Sequence, residues 1–177
     1  MSERFPTKEE ALHLLRMAGC EENVIKHCEA VSKLAVEIAE ACRRRGLNVD
    51  VRLVEVGALL HDVGRSKTHE VHHAILGAEI AKKFGLPEPI ISIIKRHVGG
   101  GISPDEAERL GWPKDVYVPQ TIEEKIVAYA DKLIEGSKRV TIEKTIEKFS
   151  RELPPHVVER VRRLHEEMIK LIGDPQC

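Results

Sequence analysis

The chain has 177 residues, a length that fits one domain with a single hydrophobic core. Its 28 basic and 29 acidic side chains give a formal net charge of -1, which argues against a general nucleic-acid or membrane-surface binder. No apolar stretch approaches the ~20 residues that span a bilayer, and no signal core follows Met1, so we expect a cytoplasmic location without membrane contact.

The N-terminal part has the pattern of three helices. Thr7, with Glu10 three residues later, forms a capping box that opens a helix ending before Gly19. A long helix over about 22–45 follows, because its apolar residues recur at spacings of three and four. Asp50 then caps a third helix, which ends in the sequence His-Asp-Val-Gly at 61–64.

Six more helices are predicted downstream. Their ranges are about 70–84, 88–98, 103–110, 121–135, 141–150 and 154–172. No stretch alternates with period two over any length, although Val116–Val118 could be a short extended piece. The sequence therefore predicts an all-α, single-domain helical bundle, with a core over about 22–139 and helical additions at 1–20 and 140–177.

Cysteines and histidines are the residue types with the clearest chemical potential. The four cysteines (Cys20, Cys28, Cys42 and Cys177) lack Cys-x-x-Cys spacing, and we interpret them as reduced structural thiols. The chain also has nine histidines, a large number for its length, which is a first indication of metal chemistry.

Ionisable side chains interrupt the apolar faces of four predicted helices. They are His27, His73, His97 and Asp131. Any one of them alone is more often a hydrogen-bonded core residue than a ligand. Together with the adjacent pair at 61 and 62 on a fifth helix, they need a common partner, because burying such groups unpaired is costly. A cation bound by imidazoles and carboxylates supplies that partner.

The order His27, His61-Asp62 and Asp131 resembles the HD superfamily of metal-dependent phosphohydrolases. The resemblance covers about residues 24–139, and the segment 57–65 (GALLHDVGR) is similar to the central motif of that family. The segment 128–132 (AYADK) is similar to its last ligand segment. The resemblance therefore implies the HD-domain type of helical bundle.

Two further elements resemble HD proteins that bind two metals, including YqeK-type diadenosine tetraphosphate hydrolases. They are a His-x-x-x-Gly-Ala element from His73 and a His-x-Gly element from His97. His72 neighbours His73 but lacks that spacing, so His73 is the favoured ligand. The chain has no Gly-Tyr-Pro signature, and this argues against cyclic dinucleotides as substrates.

The resemblance implies a ligand set for two divalent ions. His27, His61, Asp62 and Asp131 would hold the first ion, and Asp62, His73 and His97 would hold the second. Iron or manganese is favoured, and zinc, nickel, cobalt and magnesium remain compatible with these ligands.

Cationic residues near the motifs are candidates for binding substrate phosphate. Arg65 directly follows the His-Asp motif, so we predict a catalytic and substrate-binding role for it beside Asp62. Lys132 and Arg139 are weaker candidates, for which a solvated surface charge is the alternative. The glycines at 99–101 are a mobile lid, a close backbone approach to substrate, or a plain loop. Trp112 either stacks a base or anchors its loop.

The predicted function is hydrolysis of a phosphate ester or anhydride in a small phosphorylated metabolite, with a nucleotide favoured. A polymeric nucleic acid is disfavoured by the charge balance, and a homo-oligomer remains open. Two alternatives keep the same ligands: a di-iron HD oxygenase, and a non-catalytic module that binds metal or nucleotide for a partner.

Overall fold

Capping residues set the ends of the helices. The structure, a computed structural model, describes residues 4–173. Thr7 accepts a hydrogen bond from the Glu10 amide (3.1 Å) at the start of α1, and Gly19 ends that helix at φ 94°. Asp50 caps α3 through the Leu53 amide (3.0 Å). The helices are α1 (Lys8–Ala18), α2 (Glu22–Arg44), α3 (Val51–Leu60), α4 (His73–Lys83), α5 (Glu88–Arg96), α6 (Pro104–Arg109), α7 (Ile122–Lys132), α8 (Ile142–Glu152) and α9 (Pro155–Ile172).

The core forms where α2 packs against both α3 and α7. Val31 and Ile38 of α2 are buried there beside Tyr129 of α7. The C-terminal helix α9 packs on α7 and α2 and adds Val161 and Met168 to the same cluster. The apolar faces predicted from spacing are therefore buried against one another, and the protein is all-α as predicted.

Three of the helix ends that differ from the prediction lie beside the candidate site. α4 begins at His73 instead of 70, and α5 ends at Arg96 instead of 98. α7 ends at Lys132 instead of 135, because the chain turns there into a two-residue hairpin. That hairpin pairs β1 (Ile134–Glu135) with β2 (Lys138–Arg139) in antiparallel register.

The remaining local predictions have clear outcomes. The extended piece near Val116 includes Tyr117, whose carbonyl accepts a hydrogen bond from the Ile102 amide (2.9 Å). Cys20, Cys28 and Cys42 are free thiols, and Cys177 lies outside the described residues. Among residues 4–173, no helix has the length and apolar composition needed to cross a membrane.

Candidate metal centre

The predicted His-Asp pair lies where α3 changes into a tighter turn. α3 ends at Leu60, and a 3-10 helix (η1) runs over Val63–Ser66. Adjacent residues of a regular α-helix point about 100° apart, so this change allows both side chains to face one point. His61 Nε2 lies 3.4 Å from Asp62 Oδ2, and both residues are buried.

Two glycines bring α4 against this turn. A Cβ on Gly64 would overlap the His73 carbonyl oxygen and lie 2.7 Å from the Gly77 amide nitrogen. A Cβ on Gly77 would lie 3.1 Å from the Gly64 nitrogen. The glycines of the two sequence motifs therefore permit the close backbone approach that places His73 beside Asp62.

Four imidazoles are oriented in the same way. The Nδ1 atom of each lies within hydrogen-bond distance of a backbone carbonyl oxygen: His27 with Gly136 (2.7 Å), His61 with Ala58 (2.6 Å), His73 with Glu70 (2.7 Å) and His97 with Ile94 (2.6 Å). Because a carbonyl only accepts, each Nδ1 carries the proton. A neutral ring then presents its lone pair at Nε2, the atom that binds metals.

The two oxygens of Asp62 face two different groups of these nitrogens. Oδ2 lies 3.4 Å from Nε2 of both His27 and His61, whereas Oδ1 lies 3.2 Å from Nε2 of both His73 and His97. Asp131 completes the first group, with Oδ1 3.0 Å from His27 Nε2. The donor atoms within each group lie within 4.8 Å of one another.

The cluster fits divalent ions because some of its buried polar atoms lack hydrogen-bond partners and others lie unfavourably close together. His61 Nε2 and Asp62 Oδ1 are buried without a hydrogen-bond partner among residues 4–173. The Nε2 atoms of His73 and His97 lie 3.0 Å apart, where two lone pairs would repel. Ligands that share one ion at about 2.1 Å lie about 3.0–3.4 Å apart in octahedral or tetrahedral geometry, so a bound cation accounts for these spacings.

Burial and mutual charge set the protonation of the cluster. Burial raises the pKa of Asp62, but His61, His73 and His97 outweigh this effect and hold it well below its usual range. Burial lowers the pKa of His97 to about 4. Both groups are therefore in their metal-binding forms at neutral pH. Burial also lowers the pKa of His61, but the Asp62 and Asp131 carboxylates raise it well above its ordinary value.

A cavity of about 550 Å³ opens above the cluster. The ligand groups lie along it, and residues of α8 and α9 form another part of its wall. Arg65 lines the cavity beside the cluster, with Nε 3.2 Å from Asp62 Oδ2 and Nη1 donating to the His69 carbonyl (2.9 Å). The wall residues from the C-terminal helices are Thr145, Lys148, Phe149, Leu153 and Val157.

The other two predicted cations lie in different environments. Lys132 lines the cavity, but its ammonium donates to the His97 carbonyl (3.0 Å), the Ala128 carbonyl (3.3 Å) and Asp131 Oδ2 (3.0 Å). These three bonds use all its protons, so Lys132 fixes Asp131 instead of facing substrate. Arg139 is not brought to the site: it is exposed on β2, pairs with Glu37 (2.5 Å) and is not among the cavity-lining residues.

The structure also separates His72 and Trp112 from the cluster. Trp112 Nε1 donates to His72 Nδ1 (2.9 Å), and the buried indole packs edge-to-face on Tyr117. Trp112 is thus a structural anchor of its loop, and His72 is its hydrogen-bond partner.

The glycine run at 99–101 is a packing site for α9. A Cβ on Gly100 would lie 2.6 Å from the backbone of Arg160, and the Arg160 side chain bonds the Gly101 carbonyl (2.5 Å) and Glu106. In this structure the segment is thus a packed loop, which favours the plain-loop alternative.

Several polar or aromatic residues of the cavity wall were not predicted from the sequence, Asn23, Lys148 and Phe149 among them. Asn23 lies one helical turn before His27, and Lys148 and Phe149 lie on α8. No motif marks any of them. The only signal for Asn23 was its spacing of four from His27 on one helix face.

Comparison with known proteins assigns this chain to a family. The family model described as HD domain matches residues 24–136. An uncharacterized protein of Methanocaldococcus jannaschii is 46% identical over 166 residues, which are 93% of this chain and 98% of that protein. The tRNA (cytidine(56)-2'-O)-methyltransferase of Picrophilus torridus is 39% identical over 96% of this chain, which spans only 48% of that enzyme.

A solved structure has a similar fold at low sequence identity. It is the HD domain of the L. monocytogenes phosphodiesterase PgpH in complex with cyclic-di-AMP. The two share 20% identity with a TM-score of 0.55, over 94% of this chain and 97% of that one.

Proposed function

The chain belongs to the HD domain family of metal-dependent phosphohydrolases, and on that premise we propose that it hydrolyses a phosphate ester or anhydride of a small nucleotide. The observation that carries the proposal is the position of Asp62. Its two oxygens face two separate groups of imidazole nitrogens, each 3.2–3.4 Å away. This arrangement supports two ions that share one carboxylate.

Each residue of the cluster has a distinct task in this proposal. His27, His61 and Asp131 would hold one ion, His73 and His97 would hold the other, and Asp62 would be a ligand in both groups. When bound, divalent ions supply Lewis acidity and make water a better nucleophile near neutral pH. The backbone carbonyls that bind each Nδ1 fix the rings in place before any substrate arrives.

Arg65 is the proposed phosphate contact beside the cluster. Its Nε and Nη1 are held by Asp62 and the His69 carbonyl. Among residues 4–173, no hydrogen bond is made by Nη2, so that end of the guanidinium is available to donate to a phosphate oxygen. Stabilising negative charge as it develops on the phosphate is the catalytic contribution expected of such a donor.

A small substrate suits the cavity better than a polymer. A volume of about 550 Å³ is within the range of small-molecule sites, and the net charge of -1 gives no overall basic excess for binding a polymeric nucleic acid. The structurally similar PgpH HD domain was solved in complex with a small nucleotide, cyclic-di-AMP. These observations support a nucleotide as the substrate class.

A substrate panel with defined metals tests the proposal. The protein, loaded anaerobically with manganese or ferrous iron, is assayed on nucleotides, cyclic dinucleotides, non-nucleotide phosphate esters and an RNA oligonucleotide. We expect metal-dependent release of phosphate or nucleotide from a small nucleotide. Loss of activity in Asp62→Ala, with activity kept in the control His72→Ala, ties turnover to the cluster.

The same experiment separates the alternatives. Cleavage of RNA alone would overturn the small-substrate assignment. Oxygen consumption by the ferrous protein, without hydrolysis of any phosphate ester, would identify a di-iron oxygenase. A protein that binds metal and nucleotide but converts no substrate would be a binding module.

A further inference from the structure

Among residues 4–173, Lys148 differs from every other lysine or arginine that is at least half-buried. Seven lysines and arginines among residues 4–173 are buried or half-buried. Six of them have a carboxylate partner within 4.0 Å, and Lys148 has none in this part of the chain. The six pairs are Arg65–Asp62, Lys95–Asp115, Arg96–Glu124, Lys125–Glu167, Lys132–Asp131 and Arg160–Glu106.

The helix that carries Lys148 is held in place beside the cluster. Thr145, three residues earlier on α8, is buried and donates a hydrogen bond from Oγ1 to the Lys132 carbonyl (2.5 Å). That bond fixes α8 against the end of α7, beside the metal ligand Asp131. Residues 145, 148 and 149 share one face of the helix, and all three line the cavity.

Phe149 gives the same wall a planar apolar surface. Aromatic residues are only 3% of the chain. Phe149 is the one phenylalanine, tyrosine or tryptophan among the cavity-lining residues, and it is half-buried. A cation and an aromatic ring next to each other on one wall match a ligand with an anionic group and a planar base.

We propose that Lys148 and Phe149 are the specificity residues of the cavity, where Lys148 binds an anionic group of the nucleotide and Phe149 packs against its base. The inference rests on the proposed function for the identity of the ligand. Both residues lie on α8, outside the segment 24–136 that matches the family model. In this proposal α8 therefore adds nucleotide-binding residues to a site whose metal ligands come from the family segment.

Equilibrium binding tests the inference without requiring turnover. The four ribonucleoside 5′-monophosphates and their nucleosides are titrated into the manganese-loaded protein by calorimetry. Lys148→Met should raise the Kd of the monophosphates about tenfold and leave the Kd of the nucleosides unchanged, because only the monophosphates carry the anionic group. Phe149→Leu should weaken both and reduce discrimination among bases.

Two lysine variants complete the experiment. Lys144→Met changes an exposed lysine one turn earlier on α8 that does not line the cavity, and it should bind like the wild type. Lys148→Arg should restore binding of the monophosphates. Unchanged binding of the monophosphates by Lys148→Met, with the fold intact by circular dichroism, would overturn the inference.

The outcomes also distinguish this inference from the proposed function. Monophosphate binding that depends on Lys148, in a protein that hydrolyses no phosphate ester, would leave the inference standing and reject the function. Hydrolysis of a nucleotide with the same KM in Lys148→Met and the wild type would support the proposed function and reject the inference about Lys148.

Discussion

Gly64→Ala should remove one of the two metal sites and preserve the other. The new Cβ would overlap the His73 carbonyl oxygen and lie 2.7 Å from both the His73 carbonyl carbon and the Gly77 nitrogen. Ordinary contact begins at 3.4 Å, so the start of α4 must retreat by at least about 0.7 Å. Metal–ligand distances tolerate only about 0.2 Å, so His73 would leave its ion.

Metal analysis after anaerobic loading measures this effect. The wild type should hold two ions per folded chain, and Gly64→Ala one, because the first ion's ligands His27, His61 and Asp131 lie on elements other than α4. Gly46→Ala is the control, because a Cβ there meets no atom within 4 Å. The φ angle of +86° at this position is unfavourable for alanine, so the variant should lose about 1 kcal/mol of stability but retain both metal ions. Two ions retained by Gly64→Ala would refute the packing argument.

Three further predictions concern the same cluster. Asp62→Ala should lose both ions and His73→Ala only the second, as counted by elemental analysis, and unchanged stoichiometry in Asp62→Ala would exclude the shared ligand. Lys132→Met leaves the His97 carbonyl and Asp131 Oδ2 without their donor, so we expect metal affinity to fall about 10–100-fold by competition with a chelator; full affinity would show that Lys132 does not position Asp131. In the metal-free protein, the pKa of His97 is about 4, below 6.5 in the unfolded chain. The unfolded state therefore binds the proton first, and acidification from pH 6.5 to 4 should destabilise the fold by about 3 kcal/mol in denaturant titrations. His97→Asn should make the stability nearly independent of pH between 6.5 and 4. The same pH dependence in the variant and the wild type would contradict the burial of a neutral His97 ring.

The helices and their caps could be predicted from the sequence because their signals are local. Thr7, Asp50 and Thr121 each accept a hydrogen bond from an amide three residues ahead, as their spacing indicated. The end of α7 was predicted three residues too late. Its turn is stabilised by contacts from a distant part of the chain, including the bond between the Gly136 carbonyl and His27.

The roles of the cations could not be predicted in the same way. The sequence does not show that the three protons of Lys132 are already bound, or that Lys148 has no carboxylate partner within residues 4–173. Arg139 pairs with Glu37, which lies 102 residues earlier. The role of a long cationic side chain depends on whether a carboxylate lies within its reach, and this depends on which helices pack together.

The residues that need a binding partner could be identified from the local pattern. His27, His73, His97 and Asp131 interrupt apolar faces, and burying them unpaired would be costly wherever those faces pack. How each of them finds a partner depends on the packing of the helices. It aims four Nε2 atoms inward by bonding each Nδ1 to a carbonyl, and it divides them between the two oxygens of Asp62. The cost of burying a polar group follows from its place in a local apolar pattern. His27 and Asp131, by contrast, are 104 residues apart in sequence, and the distance of 3.0 Å between their side chains exists because whole helices pack together.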